Sequence, residues 1–262
     1  MPVNWMYTKN LSFNNLLLLE RVQISWFEGL PAEAMPAMAT ALKANPTVAW
    51  YLNHKCPPIS PWLKKLNVLA DPDNNPETIY AAEQQVLKTI NDWLVYVVEP
   101  NIYDNQPFLE WDDQELTSLV DFEGKIVLDI GAGTGRLAFL AAQNAFAVYP
   151  VEPISNLRLY IKEKAKDLCF NNVYPVDGLI TDIPFHDNFA DIIMGGHVFG
   201  DNPENELLEL ERVTRPDGIV ILCPGNNDKD NQAHHLLVDN GYHWSRFEEP
   251  KDGWKRKYWK TI

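Results

Sequence analysis

The chain has 262 residues, of which 46% are hydrophobic, and this allows a full globular core in one large domain or in a domain with an extension. The formal net charge is −14, with 7 basic and 14 acidic groups in residues 1–120 and 15 and 22 in residues 121–262. Such a chain repels phosphate backbones, which argues against a nucleic-acid partner. The basic cluster Lys251–Lys260 is expected to be an exposed final strand with solvated lysines.

The cysteines and the N-terminus give expectations about location. Cys56, Cys169 and Cys223 are far apart and lack metal-ligand spacing, so we expect buried free thiols in a reducing compartment and no metal site. The first ten residues lack the basic-then-apolar order of a signal peptide, and Leu16–Leu19 is far too short to span a bilayer. We therefore expect a soluble cytoplasmic protein without a membrane partner.

Residues 1–118 predict a mainly helical N-terminal region that acts as a cap or substrate region. Apolar residues at three- and four-residue steps are clearest over Glu77–Val98, which predicts one long helix. Shorter helices are predicted over Asn14–Glu28, Ala32–Lys43, Thr47–Lys55, Pro61–Ala70 and Asp113–Val120. A polar turn is expected over Pro72–Pro76 and a loop over Pro100–Trp111.

From Gly124 onward, short apolar runs alternate with helical segments, which is typical of a parallel, doubly wound sheet. Strands are predicted over Ile126–Leu128, Ala147–Val151, Val173–Val176, Phe189–Met194, Ile219–Cys223, His243–Glu249 and Trp254–Thr261. Helices are predicted over Arg136–Ala142, Ile154–Leu168, Pro203–Val213 and Asn231–Asn240. The prediction for residues 119–262 is an α/β domain: a doubly wound, mostly parallel seven-stranded sheet with helices on both faces and an antiparallel edge.

A glycine-rich turn joins the first strand to the first helix of this domain. Its three glycines stand at alternate positions: Gly131, Gly133 and Gly135. Glycine lets a ligand approach the backbone closely, and Asp129 lies at the carboxyl end of the strand, where open α/β sheets bind ligands. A dinucleotide fingerprint has glycines at its first, third and sixth positions, and the sixth position here is Arg136. The spacing therefore argues against dinucleotide binding.

The acidic-x-Gly-x-Gly-x-Gly order resembles the first motif of class I S-adenosylmethionine-dependent methyltransferases. Thr181–Phe185 followed by Asp187–Asp191 resembles the segment before the fourth strand in the type 11 small-molecule branch of that family. Glu211–Gly218 resembles the helix end and turn before the fifth strand, so the resemblance covers roughly residues 120–225. It implies a Rossmann-like fold, S-adenosylmethionine as the cofactor and a small-molecule methyl acceptor.

The resemblance also implies which residues bind the cofactor. Glu152, 21 positions after Gly131, matches the acidic residue that holds both ribose hydroxyls, since a carboxylate offers two acceptor oxygens. Leu179 stands where the family usually has an aspartate for the adenine, so Asp177 or the backbone around Ile180 is expected to make that contact. The implied cofactor set also contains Asp129, Ala132, Gly133, Gly135, Pro153, Gly178 and Gly195.

Methyl transfer from a sulfonium mainly requires alignment of the reacting atoms, and a general base helps when the acceptor is a hydroxyl or a protonated amine. His197 follows the fourth strand and is the candidate base, with Asp201 as a candidate to orient it. A histidine that merely shapes its loop is the alternative interpretation, and both stay open. Tyr103 is a hypothetical aromatic cap for the sulfonium.

Three alternative functions remain. The first is an NAD(P)-dependent oxidoreductase, against which Arg136 counts. The second is a non-catalytic S-adenosylmethionine-binding protein, since methyl transfer demands little of the side chains. The third, a protein or nucleic-acid methyltransferase, is disfavoured for nucleic acid by the acidic composition.

Overall fold

The structure, a computed structural model, describes residues 5–66, 68–69 and 75–262. The chain divides into two compact units, Met1–Tyr103 and Asp104–Ile262. Residues 104–118 lie in the second unit, where Arg136 donates to the backbone of Trp111 and Lys257 pairs with Glu115. Separate domains over 1–118 and 119–262 stay a prediction. Within the described ranges, no helix combines the length and the apolar composition needed to cross a membrane.

The first unit is built of short helices. Its α-helices are α1 (Arg21–Ser25), α2 (Met35–Ala44), α3 (Pro46–Lys55), α4 (Ser60–Leu66), α5 (Pro76–Thr89), α6 (Asn91–Val98) and α7 (Pro100–Asp104), where the unit ends. Short 3-10 helices cover Thr8–Asn10, Phe13–Leu18, Trp26–Gly29, Ala32–Ala34 and Pro57–Ile59. Its core includes Phe27, whose ring packs against Trp62 and Trp93 with centroids 5.9 and 5.5 Å away.

Two predictions for this part of the chain are wrong. The single helix expected over Glu77–Val98 is two helices, because Ile90 leaves helical geometry at φ −105° and ψ 22°. Ile90 and the preceding Thr89 are both β-branched, which weakens a helix at that point. The loop expected over Pro100–Trp111 contains α7 and a 3-10 turn, each beginning at a proline, which favours the first position of a helix. Residues 72–74 of the predicted polar turn lie outside the described residues.

The second unit contains one six-stranded sheet with the order β2-β1-β3-β4-β6-β5. The strands are β1 (Ile126–Ile130), β2 (Ala147–Val151), β3 (Ala190–Gly195), β4 (Thr214–Asn227), β5 (His243–Glu249) and β6 (Gly253–Thr261). The helices are α8 (Gln114–Thr117), α9 (Arg136–Ala142), α10 (Ser155–Asp167), α11 (Pro203–Val213) and α12 (Gln232–Asp239), and Pro107–Leu109 forms a 3-10 turn. Strands β1 to β4 pair in parallel, and β6 and β5 form the predicted antiparallel edge.

The expected seventh strand, Val173–Val176, is not confirmed as a full strand. Val173 and Val176 each form an isolated parallel bridge with β2. Tyr174 and Val176 donate to the carbonyls of Val148 and Pro150, but Pro150 of β2 has no N–H to donate in return, so the ladder is interrupted there. The segment therefore lies along β2 and positions the loop that follows, including Asp177 and Gly178.

Helices cover both faces of the sheet. Val127 of β1 packs with α9 and α10 in one core cluster, and its neighbours in the strand, Leu128 and Ile130, pack with α11 and α12 in the other. Successive side chains of a strand point to opposite faces, so the short apolar run of β1 supplies both cores. As in other open α/β sheets, this arrangement leaves the carboxyl ends of the parallel strands as the place for a ligand.

Two predictions about exposure are wrong. Lys255, Arg256 and Lys257 of the terminal basic cluster are buried rather than solvated. The reason is that β6 is not an edge strand but lies between β4 and β5, so that neighbouring strands flank it on both sides. Among the cysteines, Cys56 and Cys223 are buried as expected, whereas Cys169 is exposed.

Candidate active site

The glycine loop runs from the end of β1 into α9 and requires its glycines. Gly131, Gly133 and Gly135 have φ of 63°, 56° and 84°, in the left-handed region that disfavours other residues. The amide of Gly131 donates to the carbonyl of Val151 at 2.8 Å, which holds the loop against the end of β2. A Cβ on Gly131 would lie 2.5 Å from Cγ2 of Val198, so the segment after β3 packs directly onto the loop.

Two buried carboxylates lie at this loop, Asp129 on β1 and Glu152 after β2. Oδ2 of Asp129 accepts from the amide of Ala138 at 2.9 Å. Oε2 of Glu152 accepts from the amide of Gly133 and Oε1 from that of Ile154, both at 2.9 Å. Burial raises the pKa of Asp129 to about 8, because the amide of Ala138 offsets only part of the lost hydration. Burial also raises the pKa of Glu152 to about 7, against the opposing effect of two backbone donors and the nearby Arg158.

Glu152 fits the ribose diol of S-adenosylmethionine. Each of its oxygens accepts one backbone N–H, and since a carboxylate oxygen has two lone pairs, one acceptor position per oxygen remains for two hydroxyl donors. Gly133 and Ile154 fix both oxygens at the glycine loop. The acceptor positions of Glu152 thus suit the cofactor that the resemblance implies.

The remaining predicted cofactor residues of the second unit lie around this point. Ala132 donates to Val151, Pro153 follows Glu152, and a Cβ on Gly195 would meet Val198 Cγ1 at 2.8 Å. Gly178 lies against Val151 and Pro184, and Leu179 and Asp182 exchange backbone hydrogen bonds that keep Ile180 in a tight turn. Asp177 is 74% exposed at its side chain and pairs with Arg158 at 2.8 Å.

Tyr103 belongs to the first unit and packs there against Trp5 and Tyr96. Its predicted role as an aromatic cap stays a prediction.

His197 lies in the segment after β3 in a constrained backbone conformation. Its φ is 55°, uncommon for a residue with a Cβ, and its amide donates to the carbonyl of Pro224 at 2.8 Å. Its ring lies edge-on to Phe108, with centroids 6.1 Å apart. The side chain is 37% exposed, so the ring is held in place while part of it stays accessible.

The carboxylate bound to His197 is Glu249, not the predicted Asp201. Nε2 of His197 lies 2.9 Å from Oε1 of Glu249, a fully buried residue at the end of β5, whereas Asp201 is exposed. Lys255 Nζ lies 3.5 Å from Oε2 of Glu249. Sequence reasoning missed Glu249 because it follows His197 by 52 residues and carries no local motif.

Arg136 has a structural role that its place in the motif did not indicate. Its guanidinium lies 3.8 Å from the centre of the Trp111 ring and donates to the carbonyls of Leu109 and Trp111 and to Asp113. Burial lowers the pKa of Arg136, and the charge of Asp113 opposes that shift. The long side chain therefore binds the segment before the sheet to the start of α9, which a glycine could not do.

Comparison with known proteins places this geometry in a family. Residues 128–222 match the family model described as a methyltransferase domain. The histone-arginine methyltransferase CARMER of Drosophila persimilis is 33% identical over 119 residues, 42% of this chain and 22% of that protein. The chain thus spans about a fifth of the length of the curated relatives it matches.

Two solved structures are similar at low identity. One is a SAM dependent methyltransferase from Aquifex aeolicus, with 22% identity, a TM-score of 0.49 and coverage of 62% of this chain and 95% of that one. The other is phosphoethanolamine N-methyltransferase 1 of Haemonchus contortus, in complex with phosphoethanolamine and S-adenosylhomocysteine. Its identity is 16%, its TM-score 0.47, and the match covers 62% of this chain and 43% of that one.

The sheet, the glycine loop and the buried acid after β2 define a Rossmann-like α/β domain with a ligand site at the carboxyl ends of its parallel strands. Residues 128–222 match a methyltransferase domain, in agreement with the predicted S-adenosylmethionine-dependent class I, type 11 branch. The predicted family, enzyme class and cofactor are thereby confirmed.

Proposed function

We propose that the chain transfers the methyl group of S-adenosylmethionine to a small-molecule acceptor by in-line displacement, with His197 as the general base. The observation that carries the proposal is Glu152, buried at the glycine loop with one acceptor position left on each oxygen. Bound there, the cofactor supplies a methyl group already activated by a positively charged sulfur. The work left to the protein is binding, alignment and removal of a proton.

Cofactor binding is assigned to the surroundings of the glycine loop. Glu152 accepts from the ribose hydroxyls, while Gly131, Gly133 and Gly135 keep the backbone open to close approach. Asp129 contributes through its hydrogen bond to Ala138, which fixes the start of α9 behind the loop. The exposed Asp177 and the turn around Ile180 supply the adenine contact, and Tyr103 is retained as a hypothetical cap of the sulfonium.

Proton removal is assigned to His197. The ring stands just beyond the carboxyl end of β3, next to Gly195 and Gly196, and is partly accessible. An imidazole is the side chain best suited to accept a proton near neutral pH, and such a base contributes about 10²–10⁴-fold to a rate.

A protein arginine acceptor is the second candidate, since the similarity to CARMER proteins reaches 33% over 119 residues. Guanidinium recognition uses carboxylates whose two oxygens accept paired hydrogen bonds. In the segment after β3, Glu206 is buried, and its two oxygens accept from the amides of Gly200 and Asn202. As in Glu152, one acceptor position remains on each oxygen. Glu249, by contrast, is bound to His197 and lies near the Lys255 cation. The arginine acceptor is therefore the alternative that label transfer tests.

The test is calorimetric titration of the full chain with S-adenosylmethionine, S-adenosylhomocysteine and NADH. We expect micromolar binding of the two sulfur ligands, weakened about 10²- to 10⁴-fold in Glu152→Ala through loss of two charged hydrogen bonds worth about 1.5–3 kcal/mol each. Glu123→Ala, an exposed acid close to β1, is the matched control and should bind like wild type. NADH binding with silence toward both sulfur ligands would show an oxidoreductase instead.

Acceptor class is tested with radiolabelled methyl donor and two pools, one of small hydroxyl and amine compounds and one of arginine-containing peptides. Label transfer to the first pool supports the proposal, and transfer to the second alone supports the arginine candidate. Tight cofactor binding without transfer to either pool identifies a non-catalytic binding protein.

A further inference from the structure

The pairing of His197 with Glu249 has an unusual setting. Glu249 is fully buried, and its partner lies 52 residues earlier in the chain, on the segment after β3. The charge of Glu249 is balanced by Lys255 at 3.5 Å, and Lys255 is itself buried and held by Asn227 and Asp252 at 2.7 Å each. The three charged groups Glu249, Lys255 and Asp252 thus form one ion cluster behind the histidine ring.

A buried ion cluster is a poor way to stabilise a fold. The desolvation of the charges offsets most of their attraction, and apolar residues of similar size are often as good or better. This cluster also holds a strained residue, because His197 keeps a left-handed φ of 55°. A fully buried carboxylate with a buried lysine beside it, placed against a partly exposed histidine, has the form of a support for that histidine.

The geometry determines which ring nitrogen carries the proton. An ionised carboxylate only accepts hydrogen bonds, so Oε1 of Glu249 requires a proton on Nε2 of the neutral ring. Within the described part of the chain, the ring's hydrogen bond is made through Nε2, which leaves the lone pair of Nδ1 available. In a neutral histidine, the hydrogen bond made by one ring nitrogen thus determines whether the other nitrogen carries a proton.

We propose that Glu249 is a positioning residue that fixes the Nε2–H tautomer of His197 and leaves Nδ1 to take a proton from a hydroxyl or ammonium acceptor. This inference rests on the proposed function. When the acceptor is methylated, its oxygen or nitrogen forms the bond to the methyl carbon, and the carbon–sulfur bond breaks with its electron pair on sulfur. The proton of the acceptor goes to Nδ1, and Glu249 stabilises the imidazolium. Acceptors that are already anions, such as carboxylates, gain nothing from this arrangement.

The first measurement is the ¹⁵N spectrum of the histidine rings in the full chain, recorded above the pH at which they titrate, with His197→Gln to assign the signal. We expect the Nε2–H tautomer of His197 in wild type and in Glu249→Gln, whose carbonyl oxygen still accepts, and a mixture of tautomers in Glu249→Ala. The matched control is Glu248→Ala, which removes the exposed neighbour on the same strand and should leave the spectrum unchanged. The Nδ1–H tautomer in wild type, or an unchanged signal in Glu249→Ala, overturns the inference.

The second measurement separates the inference from the proposed function. The substrate is a hydroxyl or amine acceptor that the wild-type protein methylates. With it, Glu249→Gln should lower kcat about tenfold or more with little change in KM, since the neutral amide does not stabilise the imidazolium. An unchanged kcat overturns the positioning role even if methyl transfer is real. If wild type transfers no methyl group but shows the fixed Nε2–H tautomer that Glu249→Ala loses, the proposed function fails and the tautomer assignment stands.

Discussion

Two pairs of carboxylates, one in each half of the sheet, are held in different ways. In the parallel half, Asp129 and Glu152 accept mainly from backbone amides, and burial raises the pKa of both carboxyls. At the antiparallel edge, Asp228 and Asp252 are bound by Arg256 and Lys255, and these cations hold the pKa of both carboxyls below the ordinary value.

This difference distinguishes carboxylates that can bind a ligand from carboxylates that stabilise the fold. A carboxylate held only by backbone amides keeps acceptor positions and gains a better environment when a ligand brings further donors. A carboxylate matched by a cation is already satisfied and contributes to joining strands and loops. His197 connects the two halves of the sheet, since it follows the parallel strand β3 and is bound by Glu249 of the antiparallel edge.

The largest expected effect tests the charges of the antiparallel edge, using two lysines on one face of β6. Lys255→Met leaves the fully buried Glu249 without its cation, so we expect a loss of about 3–5 kcal/mol in the free energy of unfolding. Lys257→Met leaves Glu115, whose side chain is 33% exposed and can be hydrated, so the expected loss is about 1–2 kcal/mol. Urea unfolding of both variants measures the difference. Equal losses would mean that Glu249 does not depend on Lys255.

The second effect tests the close packing of the parallel half. Gly131→Ala forces an alanine to φ of 63° and places its Cβ 2.5 Å from Val198, so we expect a loss of about 2–4 kcal/mol in unfolding free energy. Gly124→Ala is the matched control, because Gly124 has φ of 69° with nothing near its Cβ position, and should lose only about 1–2 kcal/mol.

The double variant Gly131→Ala with Val198→Ala separates strain from collision. Removing the valine methyls should recover the part of the loss that exceeds the Gly124→Ala value. If the double variant is no more stable than Gly131→Ala alone, contact with Val198 is not what requires a glycine at this position.

The same two regions explain what could be predicted from sequence. In the parallel half, the contacts that build the site are short-range, since Asp129 and Ala138 are nine residues apart and Glu152 and Ile154 two. Motif spacing therefore located the glycine loop and both acids. At the antiparallel edge, Lys257 and Glu115 are 142 residues apart, and Glu249 and His197 52, so no local pattern indicates these pairs. The burial of β6 also depends on sheet order, which propensities do not determine.

The smallest expected effect is a difference in pH dependence. Asp129 has a pKa of about 8 in the folded chain against an ordinary 3.8, so between these values the folded state binds more protons than the unfolded state. Stability contributed by this group is therefore lost as pH rises, by at most about 1.4 kcal/mol per pH unit. Asp129→Asn removes the titration while its carbonyl oxygen can still accept from Ala138. We expect a flatter pH dependence between pH ~5 and ~7, by about 1 kcal/mol per unit, in urea unfolding.

Glu152 provides the internal comparison for that experiment. Its raised pKa, about 7, acts in the same direction, so the Asp129→Asn variant should still lose some stability as pH rises toward neutrality. Because the charge of Glu152 also raises the pKa of Asp129, Glu152→Gln should reduce the pH dependence by more than its own titration accounts for. A wild-type stability that changes from pH ~5 to ~7 with the same slope as that of Asp129→Asn would show that water or a neighbouring cation compensates Asp129. The charge of Asp129 would then be compensated, as the charges of Asp228 and Asp252 are at the antiparallel edge.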